Sequence, residues 1–211
     1  MDQKVKIVLA EYAARAEREA QRAAAGEDMR AIVEELLISV GPVVGGLMNG
    51  LIKGIAAKSI LELGTSYGGS TIWLAEAARE TGGRVVSLDI AAHKQTYARQ
   101  MLEKAGLAQC VELVTGDAVQ MIAKLDGPFD FVLVDLWKDL YVPCLEAFYP
   151  KLAPGALVVA DNATYPPDAY PEVKKYRDAI RSKPHIESIL IPAGNGIEIS
   201  RYTRGLAAPL L

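Results

Sequence analysis

Ile60-Leu61-Glu62-Leu63-Gly64-Thr65-Ser66-Tyr67-Gly68-Gly69-Ser70 is a short apolar run that breaks into a glycine turn. Glycines let a backbone turn tightly and approach a ligand closely. The next stretch, 70–80, has helical character, so strand, turn and helix follow in the order that opens a βαβ unit. Apolar runs recur at 85–89, 111–114, 131–135 and 157–161, separated by helix-length segments at 93–105, 118–125 and 139–152. That alternation predicts an α/β fold with a parallel sheet covered by helices on both faces. The end differs. Segments 188–192 and 196–202 flank Ala193-Gly194-Asn195 and read as a hairpin added antiparallel to the sheet edge, making seven strands in all.

Upstream, residues 2–25 alternate Ala with Arg, Glu, Lys and Gln, which favours helix. Val5, Val8, Leu9, Tyr12 and Ala16 share one face of it. This helix reads as a solvated element packed along one stripe, with a lid or partner interface as the alternative. Gly26 is placed to end it, a second helix is expected over 27–38, and a third over 43–56. The whole chain, 1–211, reads as one domain: N-terminal helices over 1–57, a ligand-binding α/β core over 58–204, and a loose tail at 206–211.

Composition bounds the function. Hydrophobic residues make up 51% and charged residues 23%, with 26 acids against 23 bases for a net charge of −3. This is globular composition without the excess of positive charge that nucleic acid requires. Cys110 and Cys144 stand alone, without zinc-type spacing. No apolar run approaches the ~18 residues of a membrane span, and no signal-peptide core is evident. The expectation is a soluble, cytoplasmic protein acting on small molecules.

Ligands of open α/β sheets bind beyond the carboxyl ends of the strands. There the first turn has Gly64 but Ser66 in place of the second glycine of a dinucleotide fingerprint. Glu62, just before it, would repel a diphosphate but suits an ammonium group. Both features disfavour a dinucleotide oxidoreductase. Asp89 ends the second strand, where a carboxylate accepts hydrogen bonds from ribose hydroxyls or caps the next helix. A nucleoside with a cationic amino-acid tail fits both acids, and S-adenosylmethionine is such a molecule. Asp117, before Ala118, either caps a helix or sits near the adenine.

Strand four ends at Asp135 and strand five at Asp161-Asn162. Two carboxylates and an amide carbonyl are hard oxygen ligands suited to Mg²⁺, Mn²⁺ or Ca²⁺. Lys138 follows on the same loop. Partly desolvated there, it is a candidate general base, with a surface pair to Asp139 as the bland alternative. Trp137 either walls the cofactor pocket or belongs to the core.

Glu62-Leu63-Gly64-x-x-x-Gly68-x-Ser70, Asp135-x-Trp137-Lys138-Asp139-x-Tyr141 and Ala160-Asp161-Asn162 together resemble the cation-dependent O-methyltransferases that include the catechol and caffeoyl-CoA enzymes. The resemblance runs over about 36–202. It implies a Rossmann-like class I methyltransferase fold, S-adenosylmethionine as methyl donor, and Mg²⁺ or another divalent cation on Asp135, Asp161 and Asn162. It makes Lys138 the base, with Lys138 and Asn162 beside the acceptor. It implies that Glu62 binds the methionine end, Ser70 its carboxylate and Asp89 the ribose. Val40, Gly64, Tyr67, Ile90, Asp117, Ala118, Gln120, Asp135 and Trp137 complete the cofactor contacts. Glu198 matches an acid that hydrogen-bonds a second catechol hydroxyl, and Pro166 a wall of the acceptor site. The implied reaction is methylation of a hydroxyl of a catechol or related vicinal-diol phenol. Three alternatives stand: a CoA-linked phenylpropanoid acceptor, with Lys53, Lys58 and Arg201 as scattered cations for its phosphates; a natural-product sugar hydroxyl; and a non-catalytic cofactor-binding module. Leu36 and Leu136 replace an aromatic gate and a histidine of the animal catechol enzymes. The N-terminal helices and the 165–171 loop have no counterpart, and a homodimer is compatible with the pattern.

Overall fold

The computed structural model describes residues 1–29, 31–164 and 170–206. Seven strands form one sheet: β1 (Ser59–Leu63), β2 (Arg84–Asp89), β3 (Val111–Thr115), β4 (Phe129–Val134), β5 (Leu152–Ala160), β6 (Ile186–Ile191) and β7 (Ile197–Tyr202), in the order β3-β2-β1-β4-β5-β7-β6. The first five run parallel, while β7 pairs antiparallel with β5 and β6. The chain steps outward from β1 to β3, then returns to β4 on the other side of β1. This reversal places the topological switch point between β1 and β4, and ligands of open α/β sheets bind in the crevice outside the strand ends near such a point.

Side-chain alternation assigns the faces. Ile60, Phe131, Leu133, Leu157 and Val159 meet one helical layer, built from α1 (Gln3–Ala24), α2 (Gly41–Gly54), α3 (Gly69–Thr81) and α4 (Ala92–Ala105). Leu61, Leu63, Val132, Val134 and Val158 meet the other, built from α5 (Ala118–Lys124), α6 (Tyr141–Phe148) and α7 (Tyr170–Ser182). α1 is part of the first core through the buried Val5, Val8 and Tyr12. Among the described residues no helix is long and apolar enough to cross a membrane.

Three sequence expectations change. The helix expected over 27–38 is instead a run of turns with one 3₁₀ turn, Val33–Glu35. Tertiary bonds replace helical ones there: the Leu37 amide donates to the Glu19 carboxylate, and Arg15 donates to the Glu35 carbonyl. Ile38, at φ 42°, turns the chain out of that segment. The helix expected over 139–152 shortens to α6 between two 3₁₀ turns, the second holding Pro150. Helix α7 was not read from the sequence. Its buried Val173, Tyr176 and Ile180 lie at helical spacing, but the proline-rich run before it reads as loop.

Phe131 is fully buried in the central strand β4, so Phe131→Ala is expected to cost about 3–5 kcal/mol. Val43→Ala, at a position 70% exposed, should leave the thermal midpoint nearly unchanged. Equal midpoints for the two variants in a thermal melt would contradict this placement of the core.

Candidate active site

The glycine turn is held from three sides. Gly64 has φ 100°, and its amide donates to the Leu88 carbonyl. A Cβ at Gly64 would lie 1.9 Å from the Asp135 carbonyl oxygen, so the loop after β1 packs against the start of the loop after β4. Ser66 donates its amide to Asp89 Oδ2 at 2.7 Å, and Ala91 donates to Oδ1 at 2.8 Å. Asp89 therefore joins the loops after β1 and β2. The Tyr12 hydroxyl donates to the Tyr67 carbonyl at 2.6 Å, and the Arg15 guanidinium lies 4.0 Å from the Tyr67 ring centre. Through these contacts α1 fixes the far side of the loop.

Glu62 lies beneath the turn, fully buried. Its carboxylate accepts from the hydroxyls of Ser70, Thr71 and Ser87 at 2.5–2.6 Å. Burial pushes its pKa up to about 7 against the opposing effect of those three hydroxyls. In this structure Glu62 and the Ser70 hydroxyl anchor the first turn of α3 through these bonds. The sequence could not reveal it, because Thr71 and Ser87 arrive from other elements.

Around the crevice, Val40 precedes α2 and is nearly buried, whereas Ile90 and Trp137 expose 73% and 56% of their surfaces just past β2 and β4. Asp117 caps α5, accepting from the Gln120 amide at 2.9 Å, with Ala118 as the first helical residue. Of the two readings of Asp117, the cap is observed.

Val134 and Ala160 are register partners. The next residues, Asp135 and Asp161, therefore leave adjacent strand ends side by side. The carboxyl pKa of Asp135 is raised, first by burial and then by Asp161. That of Asp161 is raised by burial, against the opposing Asn162 amide and Lys138. Asp161 Oδ1 is buried without a hydrogen-bond partner. Asn162 takes a left-handed backbone, φ 53°, and its Oδ1 accepts from Lys138 Nζ at 2.9 Å. Lys138 Nζ also donates to the Tyr141 hydroxyl at 2.6 Å and the Leu136 carbonyl at 3.3 Å, and lies 3.9 Å from Asp135. Burial lowers the Lys138 pKa, while Asp135 and Asp161 oppose the shift. Among the described residues no three His, Cys, Asp or Glu side chains converge as a metal site, so a cation here would draw on two carboxylates and an amide oxygen. Two crowded acids, one with an orphaned buried oxygen, are a donor set that a hard divalent cation completes.

Glu198 follows the first residue of β7, opposite Ala160, fully buried. Its carboxylate accepts from Arg181 at 2.7 Å, Arg177 at 3.3 Å and Ser188 at 2.5 Å. It clamps α7 to the sheet. No sequence cue singled out the two arginines, because α7 itself went unread. Pro166 lies outside the described residues.

A family profile described as a methyltransferase domain matches residues 61–163. The chain is 33% identical over 178 residues to caffeoyl-CoA O-methyltransferase 2 of Petunia hybrida, covering 74% of this chain and 73% of that one. It is 36% identical over 129 residues to the catechol O-methyltransferase of Niastella koreensis, covering 59% of this chain and 58% of the relative. The chain belongs to the class I S-adenosylmethionine-dependent O-methyltransferases of the catechol and caffeoyl-CoA type. Among solved structures, the O-methyltransferase TomG from Streptomyces achromogenes, in complex with SAM, superposes with TM-score 0.75 at 26% identity, covering 96% of this chain and 91% of that one. A Bacillus cereus O-methyltransferase in complex with SAH gives 0.74, also at 26% identity, covering 96% and 92%.

For this O-methyltransferase, Gly64→Ala is expected to destabilise by several kcal/mol or prevent folding, because the methyl group meets the Asp135 backbone. Gly46→Ala, within α2 and with open space around it, should instead stabilise by about 0.5–1 kcal/mol. Thermal denaturation of both variants checks this, and a Gly64→Ala midpoint equal to wild type would contradict the close approach.

Proposed function

We propose that this O-methyltransferase transfers the methyl group of S-adenosylmethionine to a hydroxyl of a catechol or related vicinal-diol phenol, with a divalent cation on Asp135, Asp161 and Asn162. One observation carries the reading: two neighbouring carboxylates at the ends of β4 and β5, Asp161 buried with one oxygen orphaned and Asp135 half-buried, lie within a lysine's reach. When bound, the cation would supply Lewis acidity, lowering the pKa of a coordinated hydroxyl.

The chain's own residues would do the rest. Asp89 is already oriented by two amides and keeps lone pairs for ribose hydroxyls. Ile90 and Trp137, exposed on either side of the crevice, offer apolar faces to an adenine. The first turn of α3, fixed by Glu62, presents amide donors to the amino-acid carboxylate. Lys138 takes the proton of the attacking hydroxyl, and burial favours the neutral amine this requires. The oxygen then attacks the sulfonium methyl, the carbon–sulfur bond breaks, and S-adenosylhomocysteine leaves. Opposite charges vanish together in that step, so a dry crevice favours it. Much of the acceleration would come from alignment, worth up to ~7–11 kcal/mol in well-oriented systems.

The cations considered for a CoA-linked acceptor stand elsewhere. Lys53 is held by Glu76 and Glu80, Lys58 bonds the Thr81 carbonyl beside the opposite ends of the strands, and Arg201 lies opposite Leu157, away from the rim. This supports a small free phenol over a phosphate-bearing thioester.

A panel of catechols and phenolic thioesters, assayed with S-adenosylmethionine, tests the proposal. Catechols are expected to be methylated, with turnover abolished by EDTA and restored by Mg²⁺. Undiminished turnover in chelator would refute the cation, and exclusive use of thioesters would refute the acceptor.

A further inference from the structure

Tyr141 is the last residue of the Asp135–Tyr141 motif, and the reading above gives it no task. It is fully buried at the start of α6. Its hydroxyl donates to the Asp161 carbonyl at 2.9 Å and accepts from Lys138 Nζ at 2.6 Å. The two bonds fix the direction of each: the phenol's single proton is committed to Asp161, so toward Lys138 it is an acceptor only. The Tyr141 ring is fixed in turn, edge-on to the buried Tyr176 at 5.3 Å between centres. One rigid side chain thus ties the amine on the loop after β4 to the backbone of an acid that ends β5.

We infer that Tyr141 is a positioning residue that aims Lys138 Nζ at the acceptor hydroxyl and keeps it in register with Asp161. The inference rests on Lys138 being the base. Nζ has three acceptors within reach, Tyr141, Asn162 and the Leu136 carbonyl. The neutral amine that acts as base donates its two protons among them and keeps its lone pair for the attacking hydroxyl, so the direction of these bonds sets where that lone pair points. Of the three, Tyr141 makes the shortest bond and is itself immobile. Its loss frees Nζ to swing on its four-carbon stem, and a displacement of about 1 Å can cost a reaction up to ~100-fold. The spacing of Lys138 and Tyr141, three residues apart, is the signal the sequence offered.

A double-mutant cycle on the full chain, with the best catechol of the panel, tests this. Lys138→Ala is expected to lower kcat by about 10²–10⁴-fold. Tyr141→Phe should lower kcat by about 10–100-fold, with KM for S-adenosylmethionine unchanged. In the Lys138→Ala background the same Phe substitution should have no further effect. An activity-independent readout accompanies the cycle. In protein labelled with ¹⁵N at lysine Nζ and held at a pH low enough to protonate the amine, the Lys138 ammonium signal, assigned by its loss in Lys138→Ala, should be visible in wild type. It should broaden through solvent exchange in Tyr141→Phe. An unaffected kcat in Lys138→Ala would remove the base, and this inference with it. A large Lys138→Ala effect beside a wild-type Tyr141→Phe would overturn the inference alone. So would equal Phe effects in both backgrounds, an unbroadened signal, or loss of folding or cofactor binding in Tyr141→Phe, each of which assigns the hydroxyl a merely structural part.

Discussion

Two carboxylates crowded at adjacent strand ends disfavour each other's charge unless something positive joins them. Asp135 and Asp161 are in that position because β4 and β5 run parallel in a register that ends both strands at the same level. The rest of the rim is arranged around that pair. Lys138 lies against it, Asn162 adopts a left-handed backbone next to it, and the glycine turn of β1 closes onto the Asp135 carbonyl. The loops after β1 and β4 are thereby joined through the Asp135 backbone, so a shift in either would be felt by the other.

The parts of this arrangement that depend on strand periodicity were legible in the sequence. Short apolar runs placed the strands, and a strand's last residue is fixed once its apolar run ends, so Asp89, Asp135 and Asp161 were assigned to the rim correctly. Parts that depend on a partner from elsewhere in the chain were not legible. Glu62 and Glu198 are acids at strand positions that suggest ligand contacts, yet each is fully buried and triply bonded, one by hydroxyls and one by two arginines and a serine. Nothing local distinguishes an acid open to a ligand from one enclosed by α7. The 27–38 segment failed for a related reason: bonds to Arg15 and Glu19 on α1 outweigh its helical tendency.

The N-terminal helix gains a meaning from the same contacts. Read alone, α1 was a polar helix with one apolar stripe and no assigned partner. In the fold that stripe joins the core, and Tyr12 and Arg15 reach the glycine turn through Tyr67. It connects to the glycine turn after β1, while α7 is held to the sheet on the opposite face by Glu198.

The central claim, that the acid pair is a cation site, is tested most directly by titrating the protein with Mn²⁺ and following free Mn²⁺ by electron paramagnetic resonance, with no substrate and no turnover required. The account predicts one site per chain, displaced by Mg²⁺ and lost in Asp161→Asn. Binding that survives Asp161→Asn unchanged, or no stoichiometric binding in the wild type, would contradict it.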